Sequence, residues 1–438
     1  MGDTADGFRV VIVGGGPVAL IAALALAQAG IDFVVLERRG ALDLDAGASV
    51  AVWPHNVRLF DQLGLLEEAH RTYMPVLHKR NLRRDGSELG RNDMFERAGA
   101  NHGHPWMCFR RAKLVNMIYQ GIPDQNKVLF NKEVTLLEQT TTGVTAKCAD
   151  GSVYKGAFIL GADGVRSIVR REISKALGKA DEPFLSSYRG MYGYTDRCPG
   201  LDSETLYETH SKDLTVQVIV GEEQQQFLIY ERLEQPTREF VRYDKTDEEE
   251  LARRYADVRF PGQKPDDWVT LGDIWDIKQW STLANLEEGI VKKWHEGRFV
   301  LIGDAVHRMT PNIGFGMNSG LQGVVQLVNR LYALLKKIPE PDTETLDRLF
   351  REYQTARMGN SKQTVDTSGL YTRLVAWSNP VWRFTDQYIL PYINGDSVAL
   401  DLLMAPIVQK GEPLNFLKEN GFKQGKYKYR TGPAGVSV

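Results

Sequence analysis

Between a short apolar strand and an Ala- and Leu-rich helix the chain carries Gly14-x-Gly16-x-x-Ala19, and this turn restricts the possible folds more than any other feature. Phe8 to Val13 is short, β-branched and nearly continuous in apolar residues, the pattern of a buried parallel strand. Pro17 to Ala29 reads as a helix, with Pro in its first turn and Gly30 at its stop. Phe33 to Leu36 reads as the next strand, so a βαβ unit is complete within about 30 residues. In such a unit Gly14 allows the tight turn, Gly16 lets backbone approach a pyrophosphate, and Ala19 lets helix and strand pack closely. The helix N-terminus presents unpaired N–H groups and positive dipole to phosphates. Glu37, 23 residues beyond Gly14, ends the second strand, where an acid accepts hydrogen bonds from ribose hydroxyls. Strand, turn, helix and terminal acid together imply adenine dinucleotide binding; a ligand-free glycine turn is the alternative. The same arrangement argues against reading Val10 to Ala27 as a signal peptide or membrane span. Gly14-Gly15-Gly16-Pro17 interrupts the run and a second strand follows it. An intracellular, cytoplasmic protein is expected.

Composition excludes several function classes. The 54 basic and 56 acidic residues leave a net charge of −2, with no basic excess to hold nucleic acid. Cys108, Cys148 and Cys198 are far apart and form no CxxC, which argues against a disulfide scaffold, a cysteine zinc site or a dithiol redox motif. His102-Gly103-His104 has no third ligand at a useful spacing, so a solvated loop is expected and no metal. The length of 438 residues suits two or three domains at about 150 residues each.

Strand-rich segments interrupt the βαβ frame. Val144 to Cys148 and Val153 to Leu160 read as an antiparallel pair around Asp150-Gly151. Arg83-Arg84-Asp85-Gly86-Ser87 has the same turn chemistry. Leu214 to Val220 and Phe227 to Leu233 form another pair, and Phe299 to Ile302 is a short buried strand. Leu321 to Leu335 is amphipathic and helical. The expected fold is α/β with mixed α+β character: a Rossmann-type dinucleotide-binding domain with a β-sheet substrate domain threaded into it. The first is assigned 1–74, 105–182 and 290–365, and the second 75–104 and 183–289. A helical C-terminal region, 366–438, carries Trp377, Trp382, Phe384, Tyr388 and Tyr392, and is expected to pack on the domain pair instead of a membrane.

Two further motifs follow strands. Gly161-Ala162-Asp163-Gly164-Val165-Arg166-Ser167 is by itself an ordinary turn, in which Asp163 could cap a helix. Gly303-Asp304-Ala305-Val306-His307 leads into Pro311-Asn312-Ile313-Gly314-Phe315-Gly316-Met317-Asn318 and opens onto a helix. Asp304 can hold sugar-like hydroxyls, and the glycine loop at a helix N-terminus suits a developing anion. His307 reads as a packed or capping histidine, with a proton shuttle as the alternative.

This ordered set resembles the single-component FAD-dependent aromatic hydroxylase family, over about residues 8–330. Gly47-Ala48-Ser49-Val50, Arg111-Ala112-Lys113-Leu114 and Met309-Thr310-Pro311-Asn312 look closest to its fungal secondary-metabolite branch, which epoxidises or hydroxylates prenylated indoles and meroterpenoids. The resemblance implies that Gly14, Gly16 and Glu37 bind the adenosine half of FAD and that Arg111 reaches the pyrophosphate through a charge-assisted bond. Asp163 would serve FAD and the nicotinamide, and Asp304 the ribitol. Ala51 and Gly314 to Met317, Gly316 included, would lie beside the flavin ring. Two departures stand out: Ala19 replaces the third glycine, and Leu321-Gln322-Gly323 stands where the family often has an acid pair.

The implied activity is FAD- and NAD(P)H-dependent monooxygenation. A flavin C4a-hydroperoxide would deliver one oxygen atom from O2 to a small, hydrophobic, electron-rich molecule. FAD is expected to be non-covalent, because the Gly14 loop holds no His or Cys. NAD(P)H is expected to bind transiently, because no second dinucleotide fingerprint occurs. Partners are the organic substrate and O2, with no nucleic acid and no integral membrane span. In Tyr188-Arg189-Gly190-Met191-Tyr192-Gly193-Tyr194, alternation puts Arg189, Met191 and Gly193 on one face and the tyrosines on the other. Arg189 is the candidate catalytic residue, expected to face the flavin as a fixed donor to an oxyanion; a surface or interface Arg is the alternative. A halogenase or reductase on the same scaffold is a second function, though the WxWxIP motif usual in halogenases is absent. A non-catalytic nucleotide-binding partner is a third. The sequence leaves open the substrate, the choice among epoxidation, hydroxylation and rearrangement, NADH against NADPH, and the oligomeric state.

Overall fold

A computed structural model describes residues 7–42, 49–179, 184–264 and 267–431. The cofactor-type motifs belong to a six-stranded sheet with order His295–Glu296, Phe299–Leu301, Phe158–Gly161, Arg9–Val13, Asp32–Leu36, Val128–Leu129. Its central pairings are parallel and its first pair is antiparallel. Val10, Val11 and Ile12 are fully buried, as a continuous apolar run in a covered parallel sheet should be. Helix Pro17–Gln28 packs on this sheet and against helix Gly316–Leu335. Gly320 permits the close crossing, since a Cβ there would lie 2.8 Å from Val18.

The expected continuous strand Val153–Leu160 is two strands. Val153–Gly156 pairs antiparallel with Val144–Cys148, while Phe158–Gly161 runs parallel beside Arg9–Val13. The break is where burial changes: the first piece is half out in solvent, and Phe158–Gly161 is buried throughout.

An eight-stranded sheet has order His307–Arg308, Lys278–Ile290, Leu185–Asp196, Gln224–Thr237, Leu214–Val220, Thr205–Ser211, His78–Arg83, Glu88–Asn92. Both of its faces are covered. Met191, Val216, Val218, Phe227 and Ile229 share a core with Leu251 and Ala252 of helix Lys245–Arg254. Tyr188, Leu206, Ile219, Leu228 and Tyr230 on the other face share one with Trp53, Phe95 and Trp106.

Helix Thr343–Val375 is 33 residues long and runs straight through the expected division at 365/366. Nothing in its sequence breaks it there: no Gly or Pro lies between Asn360 and Ser368. Its small polar residues Ser368 and Thr372 hold the loop before the second glycine motif, with Ser368 Oγ donating to the Thr310 carbonyl and Thr372 Oγ1 donating to Asn312 Oδ1 at 2.8 Å. The following segment is less packed than expected. Phe384 (58%), Tyr388 (60%) and Tyr392 (86%) are exposed, whereas Trp377 and Trp382 are half-buried. Residues 411–431 return to the six-stranded side. Gln62 bonds the Leu414 N–H and carbonyl, Gln322 accepts from the Glu412 N–H at 2.8 Å, and Arg58 forms a fully buried ion pair with Glu419 at 2.8 Å. Among the described residues, no helix is long and apolar enough to cross a membrane.

Candidate functional site

One cavity of about 690 Å³ collects the three motifs. Gly14, Gly16, Glu37, Ala51, Arg111, Asp163, Asp304, Gly314, Gly316 and Met317 all line it, although the chain separates the first from the last by some 300 residues. Of the segment Gly47 to Ala51, Gly47 and Ala48 lie outside the described residues.

The two motif glycines do different things. Gly14 has φ +103° and donates its N–H to the Leu36 carbonyl at 2.9 Å; a Cβ there would sit 2.6 Å from the Ala162 carbonyl oxygen. Gly16 has an ordinary φ of −74°, and nothing lies within 4 Å of where its Cβ would project. The first glycine is required by the protein itself, while the second leaves room in the cavity. Glu37 is pinned by two backbone donors, Gly15 N–H at 2.6 Å and Arg39 N–H at 2.9 Å, one to each oxygen. Each oxygen keeps a lone pair for a further donor.

Asp163 carries both of the roles open to it. Its Oδ2 accepts from the Ile168 N–H at 2.7 Å, as a helix cap does. Its Oδ1 is buried and has no hydrogen-bond partner among the described residues. Burial raises its pKa, partly opposed by bonds from Ser167 and from backbone N–H groups. An acceptor left alone at a cavity wall is a place for a ligand donor. Asp304 lies in the turn Gly303–Ala305 and is ion-paired with Arg308, whose other nitrogen holds Glu287 at 3.1 Å. Arg308 also lines the cavity and had no signal in the sequence.

Asn318 braces the cavity wall at Ala51 and Gly314 from behind. Its Nδ2 donates to the carbonyls of Ala51 and Gly314, each at 2.7 Å, and its Oδ1 accepts from Trp53 N–H at 2.9 Å and Asn56 Nδ2 at 2.8 Å. Gly314 has φ +68°, and a Cβ on it would lie 2.6 Å from Ala51 Cβ. Trp53 and Phe315 stack at 4.6 Å behind this contact. Gln322 donates to Asn56 Oδ1 at 3.0 Å and so braces the same corner.

Arg189 is not on this wall. The alternation around it is present, but the tyrosine face looks toward the site, with Tyr192 lining the cavity. Arg189 lies on the other face and is held by Glu231, its partner on the neighbouring strand, at 2.6 Å. Glu231 also takes Arg254 at 2.9 Å and Tyr255 at 2.6 Å. Period-two alternation separates two faces without saying which one meets the ligand. His102 and His104 are buried, not solvated: they pack near the returning tail, His102 against Tyr427 and Tyr429. No metal-holding cluster occurs among the described residues. His307 is packed, within 3.0 Å of Ser319 Oγ, and burial lowers its pKa to about 4.

A second chamber of about 230 Å³ adjoins the first. Ser49, Ala51, Tyr192, Pro311 and Gly314 line both. Its walls are Trp53, Phe95, Trp106, Leu206, Ile219 and Leu228, with Lys79, Glu208, Gln217 and Tyr371 among them. The sequence reading missed these residues because they come from separate strands and a distant helix.

The glycine turn, the open space at Gly16, the orphaned Asp163 oxygen and the cations lining the same cavity fit a phosphate-bridged dinucleotide. The family described as "FAD binding domain" matches residues 8–368. FAD-dependent monooxygenase srdH of Neurospora crassa is 32% identical, covering 94% of this chain and 97% of its own. FAD-dependent monooxygenase ausM of Penicillium brasilianum is 30% identical, with coverages of 96% and 90%. Among solved structures, Klebsiella pneumoniae HpxO complexed with FAD and uric acid superposes with a TM-score of 0.74 at 20% identity, covering 91% of this chain and 97% of that one. The fold is therefore the mixed α/β fold of flavoprotein hydroxylases, and this chain belongs to the FAD binding domain family as an FAD-dependent monooxygenase.

Proposed function

We propose that this monooxygenase uses NAD(P)H as a transient reductant and places one oxygen atom, by epoxidation or hydroxylation, on an electron-rich carbon of a hydrophobic fungal secondary metabolite of the prenylated indole or meroterpenoid kind. The observation that carries this reading is the pair of adjoining chambers, one lined by dinucleotide-type residues and one by aromatic and aliphatic side chains. The kinship with fungal FAD-dependent monooxygenases supports the oxygenation chemistry.

Gly16 and Arg111 would hold the pyrophosphate, with Gly14 shaping the turn that admits it, and Glu37 the adenosine ribose. Asp163 would hold FAD through its unpartnered oxygen, and Asp304 the ribitol. Ala51, Gly314, Gly316 and Met317 would border the ring, with the N-terminus of helix Gly316–Leu335 supplying positive potential there. FAD, when bound, supplies the electron transfer and oxygen activation. The chain's part is to position the substrate and exclude water, and Trp53, Trp106 and Tyr192 provide the apolar walls for that.

The purified protein should be yellow, and acid precipitation should release FAD to the supernatant. It should consume NAD(P)H and O2 and place one 18O atom from 18O2 in product from a prenylated indole or meroterpenoid. FMN in the supernatant sinks the dinucleotide assignment. Colour in the pellet sinks the non-covalent one. Label entering only from water sinks the oxygenation reading.

A further inference from the structure

The far wall of the aromatic chamber is a closed polar cluster on strands His78–Arg83, Thr205–Ser211 and Leu214–Val220. Lys79 is 2% exposed and Glu208 is fully buried. Lys79 Nζ reaches Glu208 Oε2 at 2.8 Å, Tyr371 Oη at 2.6 Å and Asp396 Oδ1 at 3.2 Å. Tyr371 donates to Glu208 Oε2. Gln217 Nε2 donates to Glu208 Oε1 at 2.6 Å and to the Asn312 carbonyl at 3.1 Å, and Tyr230 donates to Gln217 Oε1 at 3.1 Å. His210 stands between Glu208 and Asp386.

Counting protons decides what this wall can bind. The three Lys79 N–H groups have three acceptors, both Gln217 N–H groups are used, and so are the Tyr230 and Tyr371 hydroxyl protons. The cluster has no donor left, but Gln217 Oε1, Glu208 Oε1 and Tyr371 Oη each keep an acceptor lone pair. Beside it, Asn312 Nδ2 is a buried donor with no partner among the described residues, and it lines the same chamber. A spare acceptor and an orphaned donor lining one chamber can be satisfied together by one group that both donates and accepts, a hydroxyl. A carboxylate would bring a second negative charge against Glu208, and a ketone or ether would accept from Asn312 while facing lone pairs.

Asn312 stands between Pro311 and Gly314, which line both chambers, so the orphaned donor lies near their junction, while Glu208 and Gln217 reach it from the sheet. We propose that Gln217, Glu208, Tyr371 and Asn312 form a hydroxyl-recognition site that anchors an apolar substrate within the aromatic chamber. This rests on reading the aromatic chamber as the substrate site.

The test is calorimetric binding to the FAD-loaded protein, with 4-phenylphenol, 4-methoxybiphenyl and biphenyl as probes. 4-Phenylphenol should bind about 10-fold or more tightly than its methyl ether. In Asn312→Ala and, separately, Tyr371→Phe that preference should shrink severalfold, with FAD content and biphenyl affinity unchanged. Equal affinity for phenol and ether in the wild type overturns the hydroxyl site alone. A preference that persists undiminished in both variants, each with full FAD content, overturns it as well. Failure of all three probes to bind overturns it together with the substrate-chamber reading, and FAD content reports separately on the cofactor assignment.

Discussion

Two glycines two positions apart respond to the same substitution in opposite ways. Gly16→Ala places a methyl group in open cavity at an ordinary φ. The apoprotein's melting temperature should hold or rise slightly, because the unfolded chain loses entropy, while bound FAD per protein, read from flavin absorbance, should fall sharply. Gly14→Ala at φ +103°, with its Cβ 2.6 Å from a carbonyl, should instead lower the melting temperature of the apoprotein. Asn318 is fully buried and makes four bonds at the corner shared by Ala51, Trp53, Asn56 and Gly314. Asn318→Leu keeps the volume and loses all four, so a destabilisation of about 1–3 kcal/mol per unsatisfied buried group is expected, along with weaker FAD retention. Denaturant titration of the apoprotein beside flavin quantitation separates the two losses. Asn318 closes the Pro311 to Asn318 motif in the sequence, but its role is legible only once Trp53 and Gly314 are seen on either side of it.

At the scale of elements, the apolar patterns and turn chemistry marked what they physically determine. The strands Arg9–Val13 and Asp32–Leu36 and the helix between them follow from short apolar runs, a proline start and a glycine stop. The hairpin strands Leu214–Val220 and Gln224–Thr237 follow from β-branched runs around a polar turn. What local pattern cannot determine is which face meets which neighbour, and that is why Arg189 was expected on the cavity side and lies on the opposite face, paired with Glu231. Nor can it reveal the polar wall, whose Lys79, Glu208, Gln217 and Tyr371 meet across some 290 residues of chain. The returning segment 411–431 is another long-range feature. Its Arg58–Glu419 pair is 1% and 0% exposed, with Tyr429 4.0 Å over the guanidinium. Glu419→Gln removes the negative half of this buried ion pair, and a loss of about 3–5 kcal/mol is expected. Limited proteolysis should then cut within 411–431 before the rest of the protein; unchanged protection would remove the segment from the list of structural supports.

For the molecule as a whole, buried histidines set the pH range of stability from both sides. Burial lowers His55 to about 3, and His102, His104 and His307 to about 4. Such groups fold neutral and contribute stability above their unfolded value of 6.5, lost as pH falls toward 4. His210 is the opposite case: burial lowers it, but Asp386 and Glu208 more than reverse this, to about 9. Its contribution is complete below pH 6.5 and is lost as pH rises through 9. Melting temperature should therefore peak near pH 6.5 and decline in both directions. In His210→Gln the deficit relative to wild type should be largest at pH 6 and shrink toward pH 9.5, and a constant deficit would refute the assignment. The order of strands in the six-stranded sheet has a consequence for the chain as it is made. Arg9–Val13 and helix Pro17–Gln28 leave the ribosome early, yet Phe299–Leu301, which completes the parallel core beside Phe158–Gly161, follows Leu26 by 273 residues. At roughly 5–20 residues per second, that is about 15–55 s during which one of the most apolar stretches of the nascent chain waits without its full set of neighbours, an interval in which a chaperone would have something to hold.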